Sequence, residues 1–345
     1  MNHEGQISAP PDRHLLGRWT PWIVVLVFAA LCGAILTASS QTGRDREPAG
    51  LDPAFVYDVA RFQAIAPERI GYREVAFVET GLERATAVAV GPADEIVAGG
   101  DKRVVVFSSD GTRRHTTSLP DRPLCLAVSA TGDLLVGLGR IVLRGPLAGP
   151  LEKWLSVPGE KARLTSMAVE GETVFVADAG ARAVWHFASD GRRLGRIGDR
   201  DPERNRPGFV VPSPYFDVLV APDGLLRIVD PGRHRVTAWT REGDLELSWG
   251  TPSYALEGFS GCCNPAHLAV LPDGRFVTSE KGIARVKVYD AEGRFVTAVV
   301  GPDGLDTEVG PCDVAVDGTG RILVLDPGRG VIRIFEPKPR TDRED

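Results

Sequence analysis

From about residue 72 onward, apolar and polar positions alternate in short runs separated by Gly-containing turns, the period-two pattern of strands with one buried face. Six stretches superimpose on this pattern: TAVAVGPADEIVAGG, LCLAVSATGDLLVGLG, TSMAVEGETVFVADAG, FDVLVAPDGLLRIVDPG, AHLAVLPDGRFVTSEKG and CDVAVDGTGRILVLDPG. The second valine of each opening run falls at Val90, Val128, Val169, Val220, Val270 and Val316, at spacings of 38, 41, 51, 50 and 46 residues. Third runs such as VVVFSSDG, AVWHFASDG and RVKVYDAEG follow, and a fourth run comes after a DG or EG turn. A four-stranded unit every ~40–50 residues cannot bury its own faces, and stacking such units around an axis buries them. The chain is therefore predicted to be all-β, a six-bladed β-propeller over residues 72–336 with four-stranded blades. The sixth unit stops at Phe335-Glu336, one strand short, and the unclaimed run YREVAFVET at 72–80 is expected to close the ring by completing it.

A different pattern precedes the repeats. From Pro21 to Ala38, 18 residues carry no charge, close to the ~20 that cross the hydrocarbon core of a bilayer. Trp19 and Trp22 sit at one end of this run, where indoles favour the membrane interface. Residues 21–38 are read as a single transmembrane helix. A signal segment cleaved near Thr37-Ala38-Ser39 is the alternative. Residues 1–20 are then a cytoplasmic tail, 39–71 a stalk whose FVYDVARF stretch packs a short element on the domain, and 337–345 a charged tail. Arg13 and Arg18 before the span balance Arg44 and Arg46 after it, so charge does not set the orientation. A single N-terminal span carrying one folded domain is read as leaving the propeller exported, periplasmic or extracytoplasmic, with an envelope protein as partner.

Composition refines this picture. The 39 Gly and 26 Pro against 2 Met belong to a turn-rich β fold. A formal net charge of −6 is the wrong balance for a phosphate-binding footprint, which excludes nucleic acid as partner.

Propeller geometry then sorts residues by face. Loops leading into the opening strands and loops after the second strands share one rim, here called the opening rim, and the DG turns occupy the other. Asp178, Asp230, Glu280 and Asp326 end second strands. They are expected to accept N–H bonds from the next turn or to pair with Arg182, Arg233, Arg285 and Arg333. The first position of each opening strand, at the channel mouth, is Ala87, Cys125, Ser166, Asp217, His267 and Asp313 in turn. The long spacings come from two insertions on the opening rim, RIGDRDPERNRPGFVVPSPY and GTPSYALEGFSGCCNP, and insertions confined to one face of a repeat array mark its binding face. The candidate binding rim comprises Ser166, Asp217, Asp230, Arg233, Tyr254, Phe259, Glu280 and Asp326.

Of the five cysteines, Cys32 lies in the apolar span. Adjacent Cα atoms stand ~3.8 Å apart, below the ~4.4–6.8 Å of ordinary disulfides, so a Cys262–Cys263 bridge needs an unusual strained turn. Three readings stay open: a Cys263–Cys312 disulfide, a thiolate-bound metal or iron–sulfur cluster on Cys262, Cys263, Cys312 and His267 with Cys125 and Asp313, and free or redox-active thiols. No CxxC spacing is present.

The stretches GCCNPAHLAVLPDGRFVTSEKGIARVKVYDAEGRFVTAVVG, GPCDVAVDGTGRILVLDPGRGVIRIF and DVLVAPDGLLRIVDPGRHRVTAWTREGDL resemble NHL repeats. Their pattern runs Gly, Pro, an opening strand, DG, a strand ending in Asp, an Arg, then an apolar strand. Blades one and two depart from it, with Ala98-Gly99-Gly100 and Gly137-Leu138-Gly139 at the acidic ends. The resemblance implies a membrane-anchored propeller acting as a protein- or ligand-binding platform, the metal or iron–sulfur redox component being the alternative. Propellers of this kind also resemble peptide-amidating lyases, whose zinc histidines follow the opening-loop proline. Leu124, Ala266 and Cys312 occupy those places, so a metal-dependent lyase or hydrolase ranks third.

Overall fold

The computed structural model describes residues 62–305 and 310–339. The span read at 21–38 and most of the stalk lie outside the described residues. Among those described, no helix is long and apolar enough to cross a membrane.

Twenty-four strands among the described residues, β1 to β24 in chain order, form six four-stranded antiparallel sheets. Five sheets use four consecutive strands, and the sixth has the order β1-β24-β23-β22. In that blade β1 (Tyr72–Glu79) lies against β24 (Val331–Pro337), with Val78 opposite Ile332. The ring thus closes as the unclaimed run predicts.

The innermost strands are β2 (Ala85–Val90), β6 (Cys125–Val128), β10 (Leu164–Glu170), β14 (Val218–Val220), β18 (His267–Val270) and β22 (Val314–Val316). Second strands such as β15 (Leu226–Asp230) and β23 (Ile322–Asp326) are buried along their whole length, because neighbouring blades cover both faces. The core runs from blade to blade: Phe175 and Val184 of blade three, Ile228 and Trp239 of blade four, and Phe276 and Tyr289 of blade five share one cluster.

The acids ending second strands hold the loops of the opening rim. Asp178 Oδ1 accepts N–H bonds from Arg163, Gly180 and Ala181, and Asp230 accepts from Val210 N and pairs with Arg233. In blade one a Cβ at Gly100 would lie 2.4 Å from Arg84 O. The acid moves one place on, to Asp101, which accepts from Glu83 N and Arg84 N.

The second insertion is fastened from beneath by β20 (Val286–Tyr289) and the residue before it. Lys287 Nζ donates to Leu256 O and Gly258 O and pairs with Glu280 Oε1 at 2.6 Å. Arg285 reaches Tyr254 O and Glu280, and Tyr289 Oη donates to Glu257 O. Outside this loop, Phe62 stacks on Tyr254 with ring centroids 5.6 Å apart, and Arg69 pairs with Glu257.

Candidate functional site at the channel mouth

The first-position side chains tie blade to blade. Asp217 accepts from its neighbour Val218 N through Oδ1 and from Leu268 N of the next blade through Oδ2, both at 2.8 Å. Asp313 does the same with Val314 N and, across the closure of the ring, with Val88 N. Ser166 Oγ lies 3.3 Å from Val218 N and Val218 O. An inner-strand N–H facing the channel has no further strand to pair with, and these side chains supply the acceptor.

His267 sits between the two carboxylates, its Nδ1 3.3 Å from Asp313 Oδ1 and 3.7 Å from Asp217 Oδ2. The ligand atoms of Asp217, His267 and Asp313 all lie within 4.8 Å of one another, the one such group of three among the described residues. No described lysine or arginine pairs with either carboxylate. Burial pushes the Asp313 carboxyl up to about 6; Asp217 adds to the shift and His267 opposes it. Burial alone would depress the His267 imidazole, but Asp313 and Asp217 outweigh it and hold the group above its ordinary value. Cys125, on the same wall, is pushed well up by burial and by both carboxylates, which makes it a neutral, inert thiol. Two oxygens and an imidazole nitrogen could hold a small hard cation or pass a proton between them.

Above this cluster lies a rim pocket of about 190 Å³ lined by Thr86, Arg122, Arg163, Thr165, Tyr215 and His267. Arg122 and Arg163 stand three places before the first-position residues Cys125 and Ser166, and Arg84 stands three before Ala87. Arg84 and Arg122 together line the neighbouring hollow. All three are exposed, and none of the guanidiniums is hydrogen-bonded or ion-paired to a described residue. The same repeat position in blades four to six is Pro214, Asn264 and Gly310. The sequence reading missed this arc, although the repeat alignment contains it as a column.

Several residues expected on the binding rim are inside the protein. Asp230, Glu280 and Asp326 are buried ties and Phe259 is core, because each secures an opening loop and has no free surface. Arg233 is held by Asp230 and Gly208 O, and Tyr254 stacks on Phe62. Ser166 and Asp217 do face the channel.

The cysteines do not gather. Cys125 faces the channel from its first position. Cys312, one residue before the first position, points to the opposite side of its strand path and is buried in the core of blades five and six with Leu305, Val314 and Phe335. Cys262 and Cys263 stand in the insertion, their sulfurs 3.2 Å apart. Cys263 carries a free thiol, so the Cys263–Cys312 bridge is not formed. No described cysteine joins His267 and Asp313; their third partner is Asp217.

No protein-family model matches the sequence, and no curated protein matches it. Solved structures do resemble it. A structural genomics protein of unknown function from Bacteroides thetaiotaomicron VPI-5482 superimposes with a TM-score of 0.55 at 16% identity, covering 79% of this chain and 74% of that one. Virginiamycin B lyase from Staphylococcus aureus gives 0.51 at 12% identity, over 74% and 81% of the two chains. A streptogramin B lyase gives 0.53 at 12%, over 77% and 98%. At these identities the likeness is one of fold: the chain is a six-bladed β-propeller of the architecture these proteins share.

Proposed function

We propose that this chain is a membrane-anchored, exported propeller of NHL type whose opening rim binds an anionic segment, such as a side-chain or terminal carboxylate of an envelope protein. The observation that carries this reading is the arc of Arg84, Arg122 and Arg163, three guanidiniums at one repeat position with no partner among the described residues, in a chain of net charge −6. Guanidinium forks match carboxylates in geometry and stay charged at every physiological pH. At about 190 Å³ the pocket is smaller than the ~300–1,000 Å³ of typical small-molecule sites, which suits a single acidic group better than a large cofactor. The uncharged run at 21–38 supports the anchor.

A second reading, a metal-dependent lyase or hydrolase, is favoured by the Asp217–His267–Asp313 donor set. Its oxygen-rich character suits a hard divalent cation. The thiolate metal or cluster reading loses support because no described cysteine joins that set.

One titration separates the two: fluorescence anisotropy of a labelled oligoglutamate peptide on the full chain in detergent, with and without Mn²⁺. The first reading expects binding without metal that weakens with salt and falls at least ~10-fold in Arg84→Gln/Arg122→Gln/Arg163→Gln. Equal affinity in the triple variant would sink it. Binding that requires Mn²⁺ and vanishes in His267→Ala would select the second.

A further inference from the structure

The paired cysteines lie on the opening rim beside the pocket, in an environment built around them. Asn264, 1% exposed, locks their loop: its Nδ2 donates to Ser260 O and Lys281 O, and its Oδ1 accepts from Lys281 N. Lys281 Nζ lies 5.2 Å from the centre of the Tyr215 ring, and that ring meets His267 edge-on with centroids 6.0 Å apart. The two sulfurs share a hydrogen bond at 3.2 Å. Cys262 is exposed and Cys263 is buried. Burial favours the neutral thiol at Cys263, but the Ser213 hydroxyl, the Cys262 thiol and the Lys281 ammonium outweigh it and lower its pKa. Ser213 Oγ is itself buried without a satisfied hydrogen bond, a donor beside a sulfur that becomes a strong acceptor as thiolate.

This arrangement discriminates between the chemistries open to a thiol pair. An ammonium beside two sulfurs opposes a metal cation, and no third ligand among the described His, Cys, Asp and Glu side chains joins them. An ammonium and a spare hydroxyl donor instead stabilise a thiolate at Cys263, which raises the pKa of the exposed Cys262 thiol; the pair's negative charge thus rests on Cys263, the base that takes up the proton of Cys262 as Cys262 attacks.

We propose that Cys262 and Cys263 form a thiol–disulfide exchange site, with small or peptide disulfides as substrates. Cys262 passes its proton to the Cys263 thiolate and attacks one sulfur of the substrate R–S–S–R. The substrate S–S bond breaks, and the leaving RS⁻ takes the proton from Cys263. Cys263, again a thiolate 3.2 Å away, attacks Cys262 Sγ, expels the second RS⁻ and forms the Cys262–Cys263 bond, whose strained turn between adjacent residues makes it a readily reduced, exchangeable disulfide. The protein loses two electrons, the disulfide gains two, and a reduced or oxidised partner drives the cycle in either direction according to its potential.

The test treats the reduced full chain with oxidised glutathione, quenches with acid, alkylates, and weighs the peptide containing residues 262 and 263. The expected product is two hydrogens lighter and carries no glutathione. Cys263→Ser should retain glutathione on Cys262, and Lys281→Met should slow the reaction roughly 10-fold through the lost thiolate. Glutathione retained on Cys262 of the unaltered protein, a pair that stays reduced, or an unchanged rate in Lys281→Met would each overturn the proposal. Should Cys263→Ser fail to fold, the unaltered protein and Lys281→Met still decide it.

Discussion

In blades one to three the loops leading into the ring are short, and the residue three places before the channel mouth is arginine each time: Arg84, Arg122, Arg163. In blades four to six that position holds Pro214, Asn264 and Gly310. Two of these loops are long, and charge turns inward. Arg285 and Lys287 are buried on Glu280, and Asp217 and Asp313 tie inner strands together. The same repeat register therefore serves two purposes. Where the end acid is satisfied by other groups, as Asp101 accepts from Arg84 N and pairs with Arg103 and Asp178 accepts from Arg163 N and Trp185 Nε1, the side chain of the arginine three places before the mouth is left to face solvent. Where a long loop must be held, the arginines and lysine are consumed inside.

The sharpest way to break this contrast is at Lys287. It is fully buried, its pKa pulled down to about 8 by burial and opposed by Glu280. Lys287→Met leaves Glu280 with Arg285 as its remaining cation, beside the Ser260 N–H and hydroxyl, and releases Leu256 O and Gly258 O. The expected loss is about 3–5 kcal/mol of unfolding free energy in urea denaturation, with proteolysis first in residues 251–261. A loss below about 1 kcal/mol would mean the insertion is held by its aromatic contacts instead.

A smaller effect is expected from pH. Asp313 is raised from 3.8 to about 6 in the folded protein, so the folded state binds more protons than the unfolded state between those values, and stability falls as pH rises through that window. His267, also raised, extends the fall above its ordinary titration. The Asp313 contribution is on the order of 2–3 kcal/mol. Urea midpoints measured with chelator across pH 4–7 should decline and should flatten in Asp313→Asn. A rise with pH would show that the carboxylate is ionised and fully paired.

The smallest effect sharpens the contrast from the other half. Arg84→Gln/Arg122→Gln/Arg163→Gln should leave stability within about 0.5 kcal/mol, since no described residue pairs with these side chains. A larger loss would make the arc a structural element and remove the reason for reading it as a recognition surface.

How far the sequence could be read depended on whether the signal was local. Strand alternation and turn glycines are local, and the 38- to 51-residue spacing repeats them often enough to fix blade number and ring closure through YREVAFVET. The paired roles of Asp178 and Asp230 were legible too, because an acid ending a strand before a turn has few partners. The thiol cluster was not, since sharing a rim does not bring sulfurs together: one residue of offset turns Cys312 into the core while Cys125 faces the channel. The arginine arc stood in the alignment but carried no meaning until its side chains were seen to lack partners among the described residues.

The sequence by itself determined an all-β ring of six four-stranded blades closed by its first strand, because period-two faces and recurrent turns leave stacking around an axis as the way to bury them. Only the tertiary structure decided which polar groups meet. Asp217, His267 and Asp313 come from three blades, and Lys281 and Ser213 reach Cys263 from two different loops. Those distances depend on the ring's curvature and the course of the insertions, to which residues far apart in the chain contribute together.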